Sequence, residues 1–142
     1  MAVLAEHRTV GAPFSNEKEV VRIKYNFAND TGAIATYNMF TASGDMVVES
    51  FYAKGIVELD SAADGTTIDV GITTTEEDIF LDGVAEATFA AGALIKPTIV
   101  EGTPNVIPMP IKLADGGVVA MKIVGEALTS GECEFVFVVS KF

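Results

Sequence analysis

The alternation of apolar and polar residues over residues 20–40 (VVRIKYNFANDTGAIATYNMF) most constrains the fold of this chain. Every second residue from Val21 to Phe27 is apolar, which is typical of a strand with one buried face. Residues 29–32 (NDTG) favour a turn, because Asn, Asp and Gly tolerate turn conformations, and residues 33–40 alternate again. The pattern predicts one long β-hairpin, which needs further strands for stability.

Later segments are suited to supply those strands. Gly55 interrupts one of them and indicates a bulge or a close approach of another backbone. The last predicted strand has apolar residues on both faces, which favours a central position in a sheet. Asp115, Gly116 and Gly117 predict a hairpin turn. The predicted strands after the hairpin are residues 46–59, 66–72, 105–113, 118–125 and 132–142.

One stretch departs from the β pattern. Thr75 resembles a helix N-cap, with acidic residues in the turn that follows, and Asp82-Gly83 would end a helix after about two turns. Residues 84–91 are rich in alanine, and residues 92–104 contain several helix breakers. The whole pattern predicts a mainly β protein: an antiparallel β-sandwich of jelly-roll type with one short helical excursion.

The first 18 residues show no period. We expect residues 1–18 to form an extended N-terminal arm and residues 19–142 to form a single β-sandwich domain. The arm is either a frayed terminus or a segment that adds to a neighbouring subunit. Its apolar and basic side chains are the candidate partner-binding residues, namely Val3, Leu4, Arg8 and Phe14.

Charge and composition exclude several partners. The 142 residues carry a net charge of −11, which repels nucleic acid and anionic membrane surfaces, and no apolar run is long enough for a membrane span. Residues 1–24 carry a net charge of +1, and the remainder of the chain carries −12. A near-neutral arm on an acidic body is suited to docking, although an acidic surface also simply aids solubility. The single cysteine, Cys133, and the lack of a secretory pattern indicate synthesis in a reducing cytoplasm.

The residue inventory argues against enzymatic activity. Nucleophilic catalysis by Cys or Ser needs a nearby histidine, but the one histidine, His7, lies in the predicted arm, and Cys133 has the parity of a core residue. Zinc-type clusters and phosphate-binding glycine loops are missing from the sequence, so we expect no catalytic residue and no cofactor.

Two groups of carboxylates are the remaining candidates for a site. Helix capping explains the first group, and turn chemistry explains the second, which lacks the spacing of an EF-hand. We therefore expect no metal site, and the lack of tryptophan argues against a glycosidase. The first group is Glu76, Glu77, Asp78 and Asp82, and the second is Asp60, Asp64 and Asp69.

Three segments resemble small structural proteins of tailed bacteriophages. Residues 25–36 (YNFANDTGAIAT) are similar to the start shared by those proteins, a Tyr-x-Phe, an Asn-Asp turn with glycine and a small-residue strand. Residues 61–72 (SAADGTTIDVGI) match a serine, small residues and a threonine-rich strand closing on glycine. Residues 120–131 (AMKIVGEALTSG) precede the final apolar strand. Residues 99–109 depart from the pattern.

The resemblance implies a virion protein with a β-sandwich fold. Its closest implied function is capsid decoration (cement): binding to the major capsid protein on the capsid exterior, as a homotrimer, after synthesis in the host cytoplasm. A head-fibre, neck or tail protein of the virion is the alternative within this class. A glycan-binding adhesion module of the same sandwich type is the alternative from another class.

Overall fold

The computed structural model describes residues 2–14, 16–97 and 109–142. Within these ranges nearly all regular structure is β-strand, with one single-turn helix, α1, and a 3₁₀ turn at Glu86–Thr88. The strands are β1 Ala2–Gly11, β2 Lys18–Asn26, β3 Thr36–Ser43, β4 Met46–Ser61, β5 Thr67–Ile72, β6 Glu76–Ala85, β7 Leu94–Ile95, β8 Ile111–Leu113, β9 Val118–Val124 and β10 Leu128–Lys141, and α1 is Phe27–Asp30.

The strands form two sheets that pack as a sandwich. Sheet I has the order β1-β3-β9-β5-β6, and sheet II has the order β2-β10-β4, with β7 and β8 both paired to β4. All described pairs are antiparallel except β1 with β3, which is parallel. The predicted β-sandwich class is confirmed, and so is the central position of the last strand, because β10 lies between β2 and β4. The jelly-roll connectivity stays a prediction.

The core between the sheets is built around an aromatic cluster. Phe137 on β10 lies 5.2 Å from Phe40, 4.9 Å from Phe51 and 5.5 Å from Phe80, measured between ring centroids. Phe40 and Phe80 come from sheet I, whereas Phe51 and Phe137 come from sheet II. One ring therefore contacts both layers, and all four are buried.

The predicted hairpin over residues 20–40 is wrong, although its buried face is right. Val21, Ile23 and Tyr25 are fully buried, but β2 pairs with β10 and β3 pairs with β1 and β9. The chain crosses between the sheets through α1, whose N-cap Asn26 accepts a hydrogen bond from the N–H of Ala28. Period-two alternation determines which face of a strand is buried but not which strand is its partner.

At residues 115–117, too, the local sequence predicts a turn correctly but not the pairing of the strands around it. Gly116 has a φ of 80°, as a tight turn requires, yet β8 pairs with β4 in sheet II while β9 lies in sheet I. Residues 129–131 (TSG), a sequence that also favours a turn, lie inside β10. The predicted strand 105–113 is seen as Ile111–Leu113, and its first residues, like most of residues 99–109, lie outside the described ranges.

The helix predicted after Thr75 is a strand. Residues 73–75 form a tight turn in which Thr74 has a φ of 67°, and β6 then pairs with β5 as a hairpin. Register shifts along this pair interrupt the alternation, so the consecutive residues Phe80 and Leu81 are both buried. Three successive apolar residues resemble a helix segment in the sequence, but here they follow an irregular strand.

The expected close approach at Gly55 is confirmed. The N–H of Gly55 donates to the carbonyl of Ala93 at 2.9 Å, and its carbonyl accepts from Gly92 at 2.8 Å. A Cβ atom on Gly55 would lie 2.0 Å from the carbonyl oxygen of Ala90. The segment after the 3₁₀ turn therefore packs directly on the backbone of β4.

Gly55→Ala is expected to destabilise the protein by about 1–3 kcal/mol, because backbone atoms must move to admit the new methyl group. Urea unfolding followed by far-UV circular dichroism measures the change. Gly11→Ala is the matched control, since a Cβ there meets nothing within 4 Å. Equal stability of the two variants would contradict the close packing at Gly55.

Candidate functional site

The N-terminal segment forms an edge strand of the sandwich. Residues 2–11 form β1, which pairs in parallel with β3 at the edge of sheet I. Leu4 and Val10 are buried in the core. This differs from an arm that leaves the domain, because apolar side chains in this segment find their partners within the same chain.

Buried Asp30 ties the first half of β1 to the crossover between the sheets. Its Oδ1 accepts from the N–H of Ala5 at 2.6 Å, and its Oδ2 accepts from the N–H of Asn26 at 2.9 Å. The β1–β3 register shifts between Val3 and Arg8. Asp30 therefore accepts the hydrogen bond from Ala5 in the part of β1 where the pairing with β3 is irregular. Glu6 makes a second link, because its Oε1 accepts from the N–H of Lys24 on β2 at 2.9 Å.

The structure separates the four predicted partner-binding residues. Phe14 is 81% exposed, Val3 is 54% exposed and Arg8 is exposed, so these three are available to a partner. Leu4 is buried, and its prediction as a partner contact is corrected for this conformation. Val3 lies near the start of β1 and Phe14 just beyond its end, so the two do not form one compact patch.

A groove lies beside Phe14. It has a volume of about 420 Å³ and is lined by Gly11, Ala12, Pro13, Phe14, Glu17, Lys18 and Glu19. Val20, which follows these residues on β2, is 50% exposed. The exposure of Val20 could be predicted from the sequence, because successive residues of a strand face opposite sides and Val21 has the spacing of a buried residue. We call Phe14, Val20 and the groove the Phe14 surface.

The basic residues of β2 are neutralised within the chain. Lys18 lies 3.2 Å from Glu49, Arg22 lies 3.0 Å from Glu134 and Lys24 lies 3.4 Å from Glu132, all between nitrogen and carboxylate oxygen. Glu132 and Glu134 lie on β10, which pairs with β2, and Glu49 lies on β4, on the other side of β10. Because exposed pairs of this kind contribute little to stability, their main effect is to leave the outer face of sheet II close to neutral.

The opposite edge of sheet I is acidic. β6 carries the predicted group Glu76, Glu77, Asp78 and Asp82, with Lys122 of β9 lying 3.3 Å from Glu77. Partial burial raises the pKa of Asp69 beside this edge. The hydrogen bond from the N–H of Gly83 lowers this pKa in part, while the nearby carboxylates of Asp82 and Asp78 raise it. The two edges therefore present different chemistry: exposed apolar groups near β1 and β2, and carboxylates on β6.

Cys133 is a core residue, as its parity predicted. The side chain is fully buried on β10, and burial raises the pKa of its thiol. Since the thiolate is the reactive species, this cysteine is poorly suited to nucleophilic chemistry. His7 lies on β1, where the ladder with β3 is irregular.

A different carboxylate group forms where β4 ends. Asp60 and Asp64 were predicted to flank a turn with Asp69, but the structure groups them instead with Glu86 of the 3₁₀ turn, while Asp69 accepts from the N–H of Gly83. One carboxylate oxygen of each of the three lies within 4.8 Å of the others. Nothing in the local sequence indicated Glu86, because the β5–β6 hairpin brings it to the loop.

Glu126 anchors the loop that carries Asp64. The Ser61 hydroxyl lies beside its carboxylate, and the N–H groups of Ala63 and Gly65 donate to Oε1 at 3.0 and 3.2 Å. Together these donors hold the pKa of Glu126 below its usual range, and the Ser61 hydroxyl has the largest influence on it. The hydroxyl is near the carboxylate, but the two do not form a hydrogen bond of good geometry. The loop is thus held in place independently of the Asp60–Asp64–Glu86 group.

No known family matches this sequence, and no curated protein is similar to it in sequence. No helix in the described part of the chain is long and apolar enough to cross a membrane. Any relationship must therefore be sought in the fold.

Three solved phage structures contain chains with this fold. A chain in the capsid of Ralstonia phage GP4 matches with a TM-score of 0.62 and 14% identity, covering 94% of this chain and 98% of the other. A chain in the cyanophage Pam1 capsid asymmetric unit matches with a TM-score of 0.62 and 15% identity, covering 94% and 91%. A chain in the acidic stable capsid structure of Helicobacter pylori bacteriophage KHP30 matches with a TM-score of 0.59 and 12% identity, covering 86% of each.

The likeness covers 86–94% of this chain and 86–98% of the matched chains. It agrees with the resemblance to phage structural proteins at the level of architecture. Identities of 12–15% establish the fold alone. The chain therefore shares its β-sandwich fold with chains of three phage capsid structures.

Proposed function

We propose that this protein is a structural component of a phage virion, and specifically a capsid decoration (cement) protein on the outer surface of the head. The observation that carries the proposal is the end-to-end match to a chain in a phage capsid, over 94% of this chain and 98% of the other. The sequence resemblance, which uses other information, supports the same class.

The surface chemistry supports a binding role. Phe14, the most exposed of the large apolar side chains in the described ranges, lies in the loop between β1 and β2, and Val20 is exposed at the start of β2, while β6 carries four carboxylates. The Phe14 surface buries apolar area against the major capsid protein, and the acidic edge stays hydrated. The mechanism is mechanical: contacts across capsomer boundaries must break before the capsomers can separate.

The oligomeric state forms part of the proposal. A homotrimer at local three-fold positions, as the resemblance implies, would place three Phe14 surfaces on one capsid site and multiply their effect through avidity. Assembly takes place after synthesis in the host cytoplasm.

Phe14→Ser combined with Val20→Thr is expected to weaken binding to purified capsids by about tenfold or more, since burying one large apolar side chain contributes about 1.5–3 kcal/mol. Co-sedimentation of the protein with capsids lacking it measures the apparent affinity. Both residues are exposed and Thr is β-branched like Val, so the fold is expected to persist.

Leu94→Ser is the matched control, because Leu94 is 68% exposed but lies on β7 at the far side of sheet II. It is expected to bind as well as the unchanged protein. Equal binding by the double variant and the unchanged protein would contradict the assigned surface. Failure of the unchanged protein to bind capsids would contradict the decoration role itself.

A further inference from the structure

A buried carboxylate without a partner lies in the Asp60–Asp64–Glu86 group. Glu86 is only 3% exposed, and its Oε2 has no hydrogen-bond partner among the residues that the structure describes. Buried polar atoms are nearly always satisfied, and buried charges are paired or bind metal ions. This atom therefore indicates a ligand that completes the site.

The backbone fixes Glu86 in this position. Its N–H donates to the carbonyl of Thr66 at 3.1 Å, and its carbonyl accepts from the N–H of Phe89 at 2.9 Å. Thr66 is itself buried, and its hydroxyl donates to the carbonyl of Glu126 at 2.7 Å. These bonds fix the backbone of Glu86, and its buried side chain brings one carboxylate oxygen to within 4.8 Å of oxygens of the two aspartates.

The aspartates approach from the solvent side. Asp60 lies near the end of β4, Asp64 lies in the loop before β5, and both are exposed. With Glu86 they bring three carboxylates to within 4.8 Å of one another. Carboxylates that converge in this way, one of them buried, are suited to share a metal ion.

We propose that Asp60, Asp64 and Glu86 bind a divalent cation, and that the cation is calcium. An all-oxygen ligand set suits hard cations. Calcium–oxygen distances of about 2.3–2.6 Å place opposite ligands about 4.6–5.2 Å apart, whereas magnesium requires about 4.0–4.2 Å. The three oxygens lie within 4.8 Å of one another, so one calcium ion can bridge them, and a set of three carboxylates favours calcium because magnesium is usually held by one or two. Water and backbone carbonyl groups would complete the coordination.

The bound ion would link three parts of the sandwich. It would join the end of β4, the β4–β5 loop and the 3₁₀ turn, and the residues after that turn pack on Gly55. Calcium would therefore stabilise the fold without any change at the Phe14 surface. The inference does not depend on the proposed function, since a protein that fails to bind capsids could still bind calcium.

The test is thermal unfolding of the full chain after treatment with EDTA, with CaCl₂ or MgCl₂ then added in excess. Calcium at millimolar concentration is expected to raise the melting temperature by about 3 °C or more, and magnesium by less. Isothermal titration with CaCl₂ is expected to give about one ion per chain. An absence of both effects in the unchanged protein would overturn the proposal.

Two variants localise the effect. Asp64→Asn, at an exposed position, is expected to fold, to melt in EDTA at or above the temperature of the unchanged protein, and to lose the calcium shift. Glu86→Gln is expected to behave in the same way at the buried position. Asp78→Asn in the β6 group is the control and keeps the full shift. A calcium shift that persists in Asp64→Asn would place the ion elsewhere and overturn the assignment.

Discussion

Replacing Phe137 with alanine is expected to lower the free energy of unfolding by about 3–5 kcal/mol, a large part of the 5–15 kcal/mol typical of a domain. The ring lies 4.9–5.5 Å from three other aromatic rings, two of which belong to the opposite sheet. Its removal leaves a cavity at the point where the two layers contact each other, and the surrounding strands relax only in part.

Urea unfolding with a far-UV signal measures this change. Phe142→Ala is the matched control, because the same ring is removed at a largely exposed position, where it lies 4.0 Å from the ammonium group of Lys112. That change is expected to cost less than about 1 kcal/mol. If the two variants lost similar stability, the aromatic cluster would not be the centre of the core.

Replacing Asp30 with alanine is the second large effect, with an expected loss of about 2–4 kcal/mol, since two backbone donors lose a charged acceptor. One of those donors is Ala5 on β1, and the other is Asn26 at the start of α1. The loss is expected to fall mainly on β1, which is an edge strand paired on one side.

Hydrogen exchange measures where the stability is lost. In Asp30→Ala, the amides of residues 2–7 are expected to exchange faster by a larger factor than those of β10 and β4. Asp30→Asn keeps one acceptor oxygen, so its amide exchange rates are expected to lie between those of Asp30→Ala and those of the unchanged protein. Asn29→Ala, at the exposed neighbouring position, serves as the control. Uniform acceleration across all strands would show that Asp30 supports the whole fold and not β1 in particular.

Local patterns were sufficient to predict the class of fold and the buried faces. Val21, Ile23 and Tyr25 are buried as their spacing indicated, and Gly55 meets another backbone as its place in a strand indicated. The apolar character of both faces of β10 also identified a central strand. These features depend on the immediate surroundings of each residue, which the sequence pattern records directly.

Strand partners could not be predicted in the same way. β2 and β3 are consecutive, yet they belong to opposite sheets, because α1 and the contact of Gly32 with Leu128 direct the chain across the sandwich. That contact joins residues far apart in sequence, so no local window contains it. Glu86 was missed for the same reason, since it reaches Asp60 and Asp64 only after the β5–β6 hairpin has formed.

The N-terminal segment was predicted from the sequence only in part. Its lack of period suggested an arm, but the irregular β1–β3 ladder is completed by the carboxylate of Asp30 and not by a regular strand pattern. The exposed side chains Val3, Arg8 and Phe14 keep the partner-binding hypothesis open for testing, while burial removes Leu4 from it.

Cryo-electron microscopy of the virus particle that carries this protein tests the central claim most directly. The account predicts density for the two-sheet sandwich on the outer surface of the head, at boundaries between capsomers, with the Phe14 surface against the major capsid protein. Density confined to the neck, tail or fibres would contradict the decoration role while keeping a virion role. A particle without this sandwich would contradict both.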